Sequence, residues 1–225
     1  MDIILRKVKI LGIKSLTHDT KSFIIEKPEN YFFVSGQSMF TAIDDDSWRD
    51  KPREFTISSK PNDNYLELII KIYNEREGVT KAMDKLKIGD YLLVSRPFGN
   101  LDYKPEKYNN HLFIAAGSGI TKFLSLLRSL KDDRGNEIKN VVLIYSNKTK
   151  EDIILEDEIK SIFSSCPKNL VLLITRQEVK GYVNSRVNKE LLSAYVKGDS
   201  KVIAIGPGDF SSEIMGVVRE IKDKS

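Results

Sequence analysis

Cysteine and histidine are nearly missing from this 225-residue chain, and their scarcity removes whole classes of chemistry. Cys166 is the only cysteine, so there is no internal disulfide and no iron–sulfur cluster held by several cysteines of one chain. Lying beside Pro167 in an expected turn, it reads as structural. His18 and His111 are the only histidines. They exclude a multi-histidine metal site, and no motif supports a Ser-His-Asp triad, so no metal is expected. Long apolar runs are also lacking, so membrane insertion is not expected. The opening residues Met1–Lys7 run from apolar to charged, the reverse of a signal peptide, and a cytoplasmic location is expected. A dense block of one charge sign is absent too: the net charge of +4 is small for this length. That balance suits an anionic ligand or an acidic partner, and it excludes nucleic acid as the expected one.

What is present changes character near Lys104–Asn110. Before it, β-rich runs such as Ser22–Ile25 and Tyr65–Ile72 are separated by turn formers: Pro28-Glu29-Asn30, Asp44-Asp45-Asp46 and Lys60–Asn64. Many short strands with such punctuation predict a closed or nearly closed antiparallel barrel, with one short helix over Val79–Leu86. After it, strand and helix alternate. Strands are expected at Leu112–Ala116, Val141–Tyr145, Leu170–Ile174 and Val202–Ile205. Helices are expected from Ile120, near Leu155–Phe163, near Lys189–Val196 and over Ser211–Ile221. This alternation predicts a parallel sheet covered by helices on both faces. The division is into residues 1–106 and 107–225.

Four short motifs lie in this frame. Arg53-Glu54-Phe55-Thr56 places an arginine, suited to clamp a phosphate, at the start of a strand on which Phe55 and Thr56 face opposite sides. Gly78-Val79-Thr80 opens the only helix of the first half, with Thr80 as a cap or a phosphate contact. Gly117-Ser118-Gly119-Ile120-Thr121 joins a strand to a helix, where glycines let the backbone approach a pyrophosphate and the helix start offers free N–H groups. It departs from the full G-x-G-x-x-G pattern, since Lys122 holds the last position. Ile205-Gly206-Pro207-Gly208-Asp209 closes the last parallel strand, at the end where open sheets bind ligands. Each motif, taken alone, also reads as an ordinary strand, turn or helix start.

Their order resembles the ferredoxin–NADP reductase-like superfamily, in which an antiparallel Greek-key barrel binding FAD precedes a Rossmann-like nucleotide-binding domain. The resemblance runs from His18–Phe23 through Ser35-Gly36-Gln37, which matches a Pro-Gly-Gln turn, to Pro97-Phe98-Gly99 at the end of the barrel. The family's flavin motif, Arg-x-Tyr-Ser/Thr, becomes Arg53, Phe55 and Thr56. The resemblance implies that Arg53 holds the FAD pyrophosphate, that Phe55 stacks, and that Thr56 bonds near flavin N5 as the catalytic contact. Ile70, Lys71 and Ile72 fall in the cofactor-binding set, and Gly78, Val79 and Thr80 match the second pyrophosphate site. Gly117, Ser118, Gly119 and Thr121 match the element for the nicotinamide dinucleotide. Lys122 stands where proline is usual, to meet a phosphate or to face solvent. Ser146, Lys148 and Arg176 occupy positions that meet the adenosine ribose and read a 2′-phosphate, and Tyr182 flanks the adenine. Gly206 and Pro207 match a Cys-Gly-Pro element in which Ile205 replaces the cysteine.

The activity so implied is hydride transfer from NADPH or NADH to bound FAD, with electrons passing to a soluble acceptor on a separate chain or a small molecule: a ferredoxin, a flavodoxin, an oxygenase component, a free flavin or a ferric chelate. Nicotinamide C4 gives its hydride directly to flavin N5, so the protein supplies alignment and exclusion of side reactions. The last residues, Lys222-Asp223-Lys224-Ser225, leave the sheet expected to lack the family's usual C-terminal edge strand and the far face of the flavin open. Two other readings use the same fold. One is a non-catalytic nucleotide- or protein-binding module. The other is an electron-transfer subunit active only in a complex, although the dihydroorotate dehydrogenase subunits of that kind carry a cysteine cluster that this chain lacks.

Overall fold

The computed structural model describes residues 5–75, 77–133 and 137–224; Met1–Ile4, read above as unlike a signal peptide, and Ser225 lie outside them. The chain forms two compact units. One comprises Met1–Leu101 with Thr121–Leu126, the other Asp102–Ile120 with Leu127–Ser225.

In the first unit, alternation sets the strands. In β1 (Arg6–Thr17), Val8 and Ile10 turn inward between exposed Lys7 and Lys9. The other strands are β2 (Thr20–Glu26), β3 (Ser38–Ile43), β4 (Arg53–Thr56), β5 (Tyr65–Lys71) and β6 (Tyr91–Val94). They pair antiparallel in the order β4-β3-β6-β1-β2-β5. Just past β4, Ile57 bridges to Leu68 of β5, and the Ser58 N–H donates to the Glu67 carbonyl at 2.8 Å. The two edge strands therefore meet, and the sheet closes into the expected barrel.

Its interior holds Phe23, Ile25, Met39, Ile57, Leu66, Leu68, Leu92 and Val94, all but fully buried. Each such side chain contributes roughly 1.5–3 kcal/mol on burial. The helix α1 (Val79–Met83) adds Val79 and Met83 to this core. It is shorter than Val79–Leu86, because its last turn is closed only by single bonds from Lys85 to Ala82 and from Leu86 to Met83. Gly36 has φ +83°, and a Cβ there would lie 2.5 Å from that of Leu101. This turn therefore requires glycine. Gln37 Nε2 ties it to the Gly99 carbonyl at 3.0 Å.

In the second unit, β7 (His111–Ala116), β8 (Val141–Asn147), β9 (Leu170–Ile174) and β10 (Lys201–Ile205) form a parallel sheet in the order β10-β7-β8-β9. A 3₁₀ turn at Gly117–Ile120 leads into α2 (Thr121–Asp133). Ile120, Phe123, Leu124, Leu127 and Leu130 of that stretch, chosen for their helical spacing, are all buried. Then come α3 (Glu156–Ile162), α4 (Lys189–Ser193) and α5 (Phe210–Lys222). The helix α4 stops before Val196, and Asn188 caps its start through the Leu191 N–H at 2.8 Å. Among the described residues, no strand follows α5, and no helix is long and apolar enough to cross a membrane. The strand order reverses at β7, since β8 and β9 add on one side and β10 on the other. Ligands of open parallel sheets bind at such a reversal, beyond the carboxyl ends of the strands.

Candidate functional site

In the first unit the candidate site is built on β4. Antiparallel pairing with β3 sets Arg53 opposite Thr41, Phe55 opposite Met39 and Thr56 opposite Ser38. Arg53 is exposed. Its guanidinium donates to the Pro52 carbonyl at 3.0 Å and has no carboxylate partner among the described residues. Phe55 is half-buried and packs on the barrel core, as alternation along the strand requires. Thr56 turns the other way, its hydroxyl 3.4 Å from that of Ser38. Ser38 is fully buried and exchanges backbone bonds with Phe98, at 3.0 and 2.8 Å.

The other first-unit candidates are placed unevenly. Gly78 is extended, and a Cβ there would meet open space; Val79 is a core residue, and Thr80 is half-buried. The side chains of Ile70 and Ile72 lie inside the barrel. Lys71 Nζ pairs with Asp19 at 2.6 Å. Burial opposes the charge on Asp19. The Lys71 bond, the hydroxyls of Thr20 and Thr17 and the Lys71 charge outweigh it and hold the carboxyl below its ordinary range. Any contact from Ile70 and Ile72 to a ligand therefore falls to the backbone.

In the second unit, the glycines make the reversal at β7 possible. Gly117 sits at φ +52°, a conformation that suits glycine. A Cβ on Gly119 would run into the Ile205 carbonyl oxygen at the end of β10, and one on Gly206 into the Phe210 ring and Ala116. The turn after β7 thus lies directly against the end of β10, with Ser118 and Thr121 on it and exposed Pro207 just beyond Gly206. Ile205, where the resemblance has a cysteine, is half-buried.

The ends of β8 and β9 come together beside it. Thr175 N–H donates to the Asn147 carbonyl at 3.0 Å, and Arg176 N–H to that of Lys148 at 2.8 Å. Lys148 and Arg176 are therefore neighbours with exposed side chains, and Ser146, opposite Ala116 on β7, is buried behind them. Gln177 closes the group, accepting from Lys150 N–H at 3.0 Å and donating to Glu151 at 3.1 Å. Tyr182 donates its hydroxyl to Glu156, and the Nζ atoms of Lys160 and Lys150 lie 5.3 and 5.9 Å from its ring centre. Burial, then the Glu156 bond and charge, raise the Tyr182 pKa, so its hydroxyl stays protonated.

Two family models match the chain. That of the oxidoreductase FAD-binding domain matches residues 7–103, and that of the oxidoreductase NAD-binding domain residues 113–214. NADH-cytochrome b5 reductase 1 of Eremothecium gossypii is 28% identical over 166 residues, which cover 69% of this chain and 57% of that relative. NADH-cytochrome b5 reductase 1 of Arabidopsis thaliana is 25% identical over 212 residues, 90% of this chain and 75% of that relative. Among solved structures, a ferredoxin NADP+ reductase from Neisseria gonorrhoeae with bound FAD and NADP superimposes with a TM-score of 0.81 at 20% identity. It covers 98% of this chain and 92% of that one. The chain belongs to the ferredoxin–NADP reductase-like superfamily of flavoprotein oxidoreductases. Its first domain is of the FAD-binding kind and its second of the NAD-binding kind.

The residues present fit these cofactors. FAD needs a cation for its pyrophosphate, and Arg53 is a guanidinium without an acid partner among the described residues. A dinucleotide needs close backbone approach, and Gly117, Gly119 and Gly206 leave the ends of β7 and β10 clear of side chains. Lys122, for which the sequence leaves open a phosphate contact or a solvent-facing role, is half-buried, and its Nζ donates to Ser38 Oγ at 2.9 Å. Ser38 is not among the residues the sequence singles out. Its partner lies 84 residues away, and local pattern carries no signal for such a pair.

Proposed function

We propose that this chain, divided into residues 1–106 and 107–225, takes hydride from NADH or NADPH onto bound FAD and passes electrons to a separate acceptor. The observation that carries the reading is Arg53 and Thr56 on one strand of an FAD-binding barrel, followed by an NAD-binding domain whose Gly117–Gly119 turn sits at the strand-order reversal. When bound, FAD supplies a ring that accepts a hydride as two electrons and one proton.

The protein's residues do the rest. Arg53 clamps the FAD pyrophosphate with paired bonds, and Gly78, Val79 and Thr80 offer backbone and hydroxyl to the same group, with the backbone of Ile70, Lys71 and Ile72 alongside. Thr56 would bond near flavin N5, and Phe55, packed on the barrel core, would support the strand from its other face. The Gly117–Thr121 turn and Gly206-Pro207 hold the nicotinamide dinucleotide, Ser146, Lys148 and Arg176 the ribose end, and Tyr182 the adenine. Hydride transfer needs no protein acid or base, so Ile205 in place of cysteine tunes the rate without removing the reaction.

The test is direct. The purified protein should be yellow and should bleach anaerobically on adding NADH or NADPH. A colourless protein that takes up no FAD would sink the reading, and a yellow protein that neither nucleotide bleaches would favour a non-catalytic module. Acceptors are then screened among ferredoxins, flavodoxins, oxygenase components, free flavin and ferric chelates. A cytochrome b5 joins the screen because related chains are named for it.

The choice of nucleotide has its own test. Replacing both Lys148 and Arg176 by alanine should raise KM for NADPH by about tenfold or more, the worth of one or two charge-assisted bonds. KM for NADH should change by about twofold or less, since it lacks the phosphate. Steady-state kinetics with both nucleotides decide, and equal losses would remove these residues from phosphate recognition.

A further inference from the structure

Lys122 lies in the first turn of α2, in the segment grouped with the barrel. A second bond anchors that segment: Ser125 Oγ donates to Ser35 Oγ at 3.1 Å. The Lys122 ammonium has no carboxylate partner among the described residues; the acid whose charge reaches it most is exposed Glu54. Burial lowers its pKa, and Glu54 raises it in part. A half-buried cation held by one neutral hydroxyl is poorly compensated, and it would be better compensated by negative charge arriving beside it.

An ammonium only donates, so Lys122 occupies a lone pair of Ser38 Oγ. Ser38 Oγ lies 3.4 Å from Thr56 Oγ1, where either hydroxyl can donate, and the lone pair taken by Lys122 favours Ser38 as the donor. With Ser38 as the donor, the Thr56 hydroxyl keeps its own proton for another acceptor. The result is a polarised chain, Lys122 to Ser38 to Thr56, with its charged end two hydrogen bonds from the Thr56 hydroxyl.

We propose that Lys122 is a positioning residue for bound FAD: through Ser38 it orients the Thr56 hydroxyl toward the ring, and its cation favours the reduced ring over the oxidised one. The proposal rests on the reading of Thr56 as the flavin contact. Reduction by hydride moves two electrons and one proton from the dihydronicotinamide, which leaves as the oxidised cation, and adds one negative charge to the ring. A nearby fixed cation stabilises that added charge.

The test compares the FAD-loaded wild type with Lys122→Met, Lys122→Arg, Lys122→Gln and Ser38→Ala, reading the flavin reduction potential by equilibration with a dye. Lys122→Met should shift the reduction equilibrium about tenfold toward oxidised FAD, a fall of about 30 mV for a two-electron couple. Lys122→Arg should recover most of the shift. Ser38→Ala should slow flavin reduction, with KM for the nucleotide unchanged and a smaller change in potential than Lys122→Met. An unchanged potential in FAD-bound Lys122→Met overturns the role of Lys122 and leaves the FAD reading intact. If Lys122→Met does not hold FAD, the Arg and Gln variants decide by FAD affinity. Tight binding only with Arg supports the charge, and equal loss in both overturns it. A wild type that takes up no FAD overturns the cofactor reading, and this proposal with it.

Discussion

Arg53→Ala should give a protein that folds normally and purifies almost colourless. Arg53 is exposed, and among the described residues its guanidinium bonds only the carbonyl of the residue before it, so the fold loses little: the expected stability change is within about 0.5 kcal/mol. A guanidinium on a pyrophosphate makes paired charge-assisted bonds, each worth about 1.5–3 kcal/mol, so FAD affinity should fall by about a hundredfold or more. Arg53→Lys should retain only part of the affinity, since an ammonium does not reproduce the planar fork. Fluorescence titration with FAD and a melting curve of the FAD-free protein separate the two effects. A variant that binds FAD as tightly as the wild type would remove Arg53 from the site, and a large loss of melting temperature would make it structural.

Gly119→Ala should produce the opposite pattern. Here the position is set by packing, because the new Cβ overlaps the Ile205 carbonyl oxygen and comes within 2.8 Å of the carbonyl carbon. Both are backbone atoms of a strand paired with β7, so neither can swing aside. The expected cost is about 3 kcal/mol, the upper end for overpacking, and the strained turn should weaken nucleotide binding by about tenfold or more. Gly117→Ala is the useful control. It has open space around the added methyl and only its positive φ to violate, at about 1–2 kcal/mol. Differential scanning calorimetry and titration with NADH distinguish them. Equal small effects in both variants would show that the end of β10 yields more easily than its pairing implies.

Some of this was legible in the sequence because its causes are local. The α2 face from Ile120 to Leu130 announces itself by spacing, and the β strands by alternation. The glycine turns stand out because few other residues accept their geometry. What could not be read depends on which strand lies beside which. Alternation alone puts Phe55 and Thr56 on opposite faces, but only the β3–β4 register assigns Phe55 to the core and Thr56 to Ser38. The same holds for Ile70 and Ile72, whose side chains the barrel takes for itself, and for Lys71, whose partner Asp19 lies far off in sequence, in the turn between β1 and β2. Lys122 is the sharpest case: a lysine at the start of a helix is ordinary surface in sequence, and only the fold brings it to Ser38.

The position of β10 also matters to a chain still being made. It pairs with β7, and the Gly117–Gly119 turn rests on the carbonyl of Ile205, so the turn proposed to hold the nucleotide lacks its floor until the ribosome has passed residue 205. The six barrel strands, by contrast, are all synthesised by Val94. During synthesis, therefore, the strands proposed to carry the flavin contacts exist well before the chain is able to complete the site proposed for the hydride donor.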